Sequence, residues 1–200
     1  FTCLFATFLV PKTSYTFSRV RFNSRRLDVN IVWILGMCPG FMPLIAVYHI
    51  RKAIWLDQSH ISLVLMYSTT ASLSYFIAKG FFDTIPRALD EAATIDGATR
   101  NQIFWKITLP ISKPIVIYTA LTSFLAPWVD FIFASVIMKD NYDKYTLAVG
   151  LYRMLERENI YEYFTRCCAG AVLVSIPITI LFIFFQKYYV SGVTGGATKG

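Results

Sequence analysis

Residues 83 to 110, DTIPRALDEAATIDGATRNQIFWKITLP, form the one substantial charged run that is flanked on both sides by apolar segments long enough to cross a membrane. From Ile85, apolar residues fall at 85, 88, 89, 92 and 93, the spacing of an amphipathic helix. Arg87, Asp90, Glu91 and Thr94 share the opposite face. One side can therefore rest on a membrane domain while the other is offered to solvent. Asp83 or Thr84 is placed to cap the start, Pro86 suits the first turn, and Gly97 stands where a left-handed residue ends a helix. Thr99 and Gln102 have the capping-box spacing, so a second helix is expected to start at once and run to Leu109, before Pro110 and Pro114. A solvated loop needs neither an apolar face nor two caps around a glycine hinge. An element that docks a partner and transmits movement needs both.

The rest of the chain sets the surroundings of this element. The 200 residues are 56% hydrophobic and 16% charged, with a mean hydropathy of +0.51, well away from a soluble domain. The expected fold class is all-α: a polytopic membrane helical bundle, a single domain over residues 1–200. Four complete spans are expected at 29–50, 61–78, 115–138 and 167–186, each about the length that crosses a bilayer. Phe1 to Val10 is too short to span and reads as the end of a helix whose beginning is missing, a truncated span. Between the last two spans, Leu147, Val149, Leu151, Met154 and Leu155 suggest a short helix at the interface.

Charge gives the orientation. With spans alternating, the connections 11–28 and 79–114 and the tail 187–200 hold 12 of the 19 basic residues. That bias places the 83–110 loop and the C-terminal tail of this multi-pass protein on the cytoplasmic side. The net charge of +7 is spread along these connections, with no basic run interleaved with aromatics, so no nucleic-acid partner is implied. Cys3, Cys38, Cys167 and Cys168 have no CxxC spacing, and neither a disulfide framework nor a metal site is implied. No cofactor motif is present. His49 and His60 fit no HExxH pattern, GxSxG is absent, and the tail's Gly-Gly-Ala-Thr-Lys-Gly does not meet GxxxxGK[ST], so the chain is not read as an enzyme.

Two polar irregularities lie inside spans. Pro39, Gly40 and Pro43 put helix breakers at mid-membrane depth, either where a helix lines a translocation path or at an ordinary proline kink. Asp130 must face the bundle interior or a wet cavity, as a polar pathway or gate group or as one partner of an interhelical pair.

Glu91-Ala92-Ala93, then Gly97, then Ile107-x-Leu109-Pro110 resembles the EAA---G---------I-LP signature of the membrane subunits of bacterial ABC importers. Ser14 to Phe22 resembles the AYAFxRxRF stretch of carbohydrate permeases, and Gly80 to Pro86 their GFFxxIP. Tyr145 to Gly150 and Val190 to Gly200 look like the smaller permease subunit of maltose and maltodextrin importers. Their Trp-Asn-Asp-Phe is met as Trp128-Val129-Asp130-Phe131, without the Asn, and Pro11-Lys12 falls oddly inside what would be a family span.

The resemblance implies a pore-forming half that pairs with a second, homologous permease subunit, a dimer of cytoplasmic ABC ATPase subunits and an extracytoplasmic sugar-binding protein. Arg87, Asp90, Glu91, Ala92, Ala93, Thr94 and Gly97 would then meet the ATPase, with Glu91 facing a basic residue and Ile107, Leu109 and Pro110 shaping the element. It also implies a tail contact at Gly195, Gly196, Lys199 and Gly200, for which plain disorder is the alternative. A secondary transporter is the competing function, since broken helices occur there too. It needs no docking wedge.

Overall fold

The computed structural model describes residues 1–37, 41–56, 59–69, 72–139, 141–156 and 160–194, and among these every regular element is helical. The helices are α1 (Thr2–Arg19), α2 (Arg25–Met37), α3 (Phe41–Ala53), α4 (His60–Thr69), α5 (Ser72–Thr84) and α6 (Arg87–Ile95). They continue with α7 (Arg100–Ile103), a π turn (Phe104–Thr108), α8 (Leu109–Ile111), α9 (Lys113–Val129), α10 (Ile132–Met138), α11 (Leu147–Met154) and α12 (Ile160–Thr194). A 3-10 turn, Tyr142–Lys144, lies between α10 and α11. An all-helical chain is what lipid demands of a spanning segment, because each backbone group must find its partner locally.

Among the described residues, two stretches are long and apolar enough to cross a membrane, His60–Thr84 and Ile160–Tyr188. Arg100–Ile111 and Lys113–Val129, bent by 81° at Ser112, make a third if counted together. The expected spans are therefore redistributed. Within the 29–50 segment the described residues belong to α2 and α3, each of 13 residues, on either side of residues 38–40, which lie outside the description. Pro39 and Gly40 lie outside the described residues, and Pro43 falls within the first turn of α3. The 115–138 segment is interrupted after Val129, and the 167–186 segment lengthens into the 35 residues of α12, which carries Pro177 inside it.

The first helix also departs from expectation. It does not stop near Val10 but runs through Pro11 and Lys12 to Arg19. A proline removes one intrahelical bond, which packed neighbours in a bundle tolerate. Lys12 keeps its charge outward with its ammonium over the Phe8 ring, 5.1 Å from the centroid.

Helix α1 packs between α5 and α9, and α12 packs along α9. The interior falls into two clusters. One joins Val10, Tyr15, Ala78, Phe82, Ile85, Phe104, Ile115 and Tyr118. The other joins Leu63, Met66, Ala134, Ile137, Met138 and Val149. Helix α11 thus forms where a short interfacial helix was expected, but it is keyed into the bundle by the fully buried Val149. Exposed Leu173, Ile180 and Phe184 give α12 an outer apolar face suited to lipid or to another membrane helix. The first cluster is the platform on which the charged 83–110 element stands.

Candidate functional site

The element begins with a corner. Helix α5 runs to Thr84, so Asp83 and Thr84 finish one helix instead of capping the next. Thr84 donates through Oγ1 to the Phe81 carbonyl (2.7 Å). Asp83 accepts from the Ser18 hydroxyl (2.5 Å) and from the Lys79 ammonium (2.6 Å). Pro86, with φ −58° and ψ 132°, occupies the N-cap of α6, and its fixed φ turns the chain sharply out of α5.

The end of α6 is closed by backbone alone. Gly97 adopts φ +82°, and its N–H donates to the Thr94 carbonyl (3.1 Å) while Ala98 donates to the Ala93 carbonyl (2.9 Å). These are the two bonds of a Schellman stop, and they need the left-handed residue. One residue later the capping box forms. The Gln102 N–H donates to Thr99 Oγ1 (3.3 Å) and the Thr99 N–H to Gln102 Oε1 (2.8 Å). The second helix does not end at Leu109; it passes through the π turn and α8 to Ile111 before the bend at Ser112. Within it Ile107 and Leu109 are half-buried, with Leu109 against the first cluster, and Pro110 is exposed.

The face of α6 is rotated from the one its periodicity suggests. Ala93 is its buried residue, and Asp90 turns inward with only 20% of its side chain exposed. Arg87, Ala88, Glu91, Ala92 and Thr94 are exposed, and so are the larger apolar side chains Leu89 (41%) and Ile95 (86%). Asp90, Glu91, Thr94 and Ile95 line an open depression of about 420 Å³. The cause of the rotation is Arg19. Its side chain, only 5% exposed, makes an ion pair with Asp90 at 3.4 Å. A buried guanidinium without a carboxylate is far more costly than an exposed leucine, so the pair decides which way the helix turns.

Arg19 also donates through Nη2 to the carbonyls of Phe82 (2.8 Å) and Ile85 (2.5 Å), in the last turn of α5 and just past it, where a cation is favoured. Beneath it Tyr15 lies edge-on to Phe82, 6.1 Å between centroids, and 4.9 Å from the Phe104 ring. Burial, reinforced by the Asp90 carboxylate, pushes the Tyr15 phenol above its ordinary range, so it stays a neutral hydroxyl. Sequence reasoning counts Arg19 among the charges that set orientation and within the Ser14 to Phe22 stretch, and misses it as part of this site. No local pattern ties it to Asp90.

Asp130 sits elsewhere, at the break between α9 and α10. Its carboxylate accepts the amides of Phe133 (3.4 Å) and Ala134 (3.2 Å) and the hydroxyl of Tyr67 from α4. Gly195, Gly196, Lys199 and Gly200 lie outside the described residues.

Residues 20–195 match the family described as binding-protein-dependent transport system inner membrane component. The chain is 38% identical over 201 residues to the galactooligosaccharides transport system permease protein GanQ of Bacillus subtilis, covering 100% of this chain and 70% of that protein. It is 36% identical over 193 residues to the maltodextrin transport system permease protein MdxG of the same organism, covering 96% and 69%. The maltose/maltodextrin transport system permease protein MalG of Salmonella typhimurium is 34% identical over 194 residues, covering 94% and 64%. Among solved structures, a chain of a bacterial ABC transporter that imports the acidic polysaccharide alginate shares the fold, with a TM-score of 0.75 and 22% identity over 93% of this chain and 69% of that one.

Proposed function

Because the chain belongs to the binding-protein-dependent transport system inner membrane component family, we propose that its exposed helix α6 is the surface on which a separate ATPase subunit docks. The chain is the membrane permease subunit of an ABC sugar importer, close to maltodextrin and oligosaccharide permeases. Permease subunits are transport components and not enzymes, and the family implies an ATPase and a substrate-binding protein as partners.

The observation that carries the docking role is the composition of the free face. Leu89, Ala92 and Ile95 are left uncovered beside Glu91, on a helix whose inward side is anchored at Ala93 and Asp90. Apolar surface is worth roughly 25 cal/mol per Å² when a partner covers it, and Glu91 at its edge suits a basic side chain on that partner. The Schellman stop and the capping box keep the two helices at a fixed angle, so a push on α6 is delivered to α7 and α5 without being absorbed by a flexible loop.

In this reading, ATP-driven closure of two ATPase subunits moves the 83–110 element, and the attached spans alternate the access of a sugar site between the two sides. The second permease subunit completes the path, and the cargo is a maltodextrin or related oligosaccharide. The loop and tail lie in the cytoplasm, as the distribution of 12 of the 19 basic residues supports. Gly195, Gly196, Lys199 and Gly200 are a proposed second contact with the ATPases, while Pro39, Gly40 and Pro43 would line the path. Asp130 is better accounted for as a joint between α9, α10 and α4 than as a pathway group, because all its observed partners are structural.

The test is Glu91→Lys in the full complex. Loss of ATPase-subunit co-purification, or of sugar-stimulated ATP hydrolysis and uptake, is expected. Retention of all three at wild-type level would show that this face does not dock the ATPase.

A further inference from the structure

We infer that Arg19 is the positioning residue through which movement of α6 reaches the membrane helices, a latch whose setting determines how much transport each ATP drives. The inference rests on the docking role proposed for α6 and extends it to a residue on a different helix.

Helix α6 has little hold on the bundle. Apart from Ala93, its inward strip is Asp90, and Asp90 reaches the bundle through Arg19. Arg19 is the last residue of α1, and its one guanidinium ties three segments: its own helix, the end of α5 at the Phe82 carbonyl with the Ile85 carbonyl just after it, and the first turn of α6 at Asp90. A displacement of α6 therefore pulls directly on α1, which packs along both α5 and α9. The neighbouring Ser18 to Asp83 bond holds α1 to α5 separately, so the Arg19 tie can shift without parting those two helices.

The tie is also incomplete. Arg19 meets Asp90 end-on, through Nη1 and Oδ2 at 3.4 Å, and both Arg19 Nε and Asp90 Oδ1 are buried with no partner among the described residues. A guanidinium can instead offer Nε and Nη2 to a carboxylate as two parallel bonds, which would satisfy both orphaned atoms, but Nη2 is here held by the Phe82 and Ile85 carbonyls. Passing from one setting to the other therefore needs α6 to move across the guanidinium and the two carbonyls to release it, so the change is felt in the α5–α6 corner as well as in α1. Two discrete settings a short distance apart are what a transmitting contact requires.

The experiment compares the wild type, Glu91→Lys and two Arg19 forms of the full transporter, each reconstituted with its ATPase subunits and binding protein. Arg19→Lys keeps the charge but loses the planar fork that spans two carbonyls and a carboxylate. The double variant Arg19→Met with Asp90→Leu replaces the pair by apolar side chains of similar bulk and leaves no unpaired charge, an exchange that buried ion pairs commonly tolerate. The readout is sugar transported per ATP hydrolysed, with ATPase co-purification as the measure of assembly. Both forms should assemble as the wild type does, while transport per ATP falls by about tenfold, within the usual range of coupling between sites. If the double variant assembles and transports per ATP like the wild type, the pair is merely structural and the inference is overturned. If instead Glu91→Lys leaves docking intact, the premise fails and the latch with it. Docking lost in Glu91→Lys together with normal coupling in both Arg19 forms overturns the latch alone.

Discussion

Gly97→Ala isolates the backbone geometry of the hinge from everything around it. The residue has φ +82°, and a Cβ built there meets no atom within 4 Å, so the substitution adds no clash. What remains is the intrinsic penalty of the left-handed conformation, about 1–2 kcal/mol for a residue with a side chain. The two amides that depend on this conformation are those of residue 97, bonded to the Thr94 carbonyl, and Ala98, bonded to the Ala93 carbonyl. That penalty shifts their local opening by about 5- to 30-fold. Hydrogen–deuterium exchange of the 93–99 segment, measured by mass spectrometry on the detergent-solubilised complex, reads this directly. Exchange should accelerate by that factor in Gly97→Ala and by much less in Gly97→Asn, because asparagine visits the left-handed region more readily. The midpoint of global unfolding should fall by only about 2–8 °C, since the same penalty is spread over the cooperative unfolding of a 200-residue chain. Unchanged exchange in Gly97→Ala, or equal acceleration in the two variants, would refute the claim that a left-handed residue closes α6.

Two further substitutions probe what surrounds the element. Phe82→Ala empties a fully buried site in the platform beneath α6, and should lower stability by about 3–5 kcal/mol, seen as a lower thermal unfolding midpoint of the purified complex. At the α9–α10 break, Asp130→Asn keeps one acceptor oxygen, which in the Oδ2 position still takes the Ala134 amide and the Tyr67 hydroxyl while the longer Phe133 bond is given up, and should transport normally, while Asp130→Ala should lose about 0.5–2 kcal/mol of stability. Transport lost in Asp130→Asn at unchanged stability would make the charge itself part of the path.

What the sequence conveyed about this fold followed the range over which each cause acts. Membrane helices are legible from apolar length because lipid obliges each segment to satisfy its own backbone. The hinge is legible too: Gly97 and the Thr99 and Gln102 pair act within four residues, and both form as their spacing indicates. Interruptions were harder. Pro11 and Pro177 stay inside helices, whereas the chain breaks after Val129, two residues past Pro127, which is itself still inside α9. The outcome at each depends on neighbours that a single stretch does not contain.

The rotation of α6 shows the same limit at the site itself. Periodicity groups residues by face, but an inward strip centred near Leu89 and one centred near Asp90 differ by roughly 100° of turn, one residue in a helix of 3.6 per turn. Ala88, Ala92 and Ala93 straddle the two choices and gain little from either, so hydrophobic burial discriminates weakly between them. An ion pair with a guanidinium only 5% exposed discriminates strongly, and it comes from the far end of α1. The charged residue that the pattern assigns to the outer face is therefore the anchor, and the leucine it assigns to the core is part of the surface left for a partner. In an amphipathic helix rich in alanine, a buried basic residue on a neighbouring helix is the feature that fixes which face is inside.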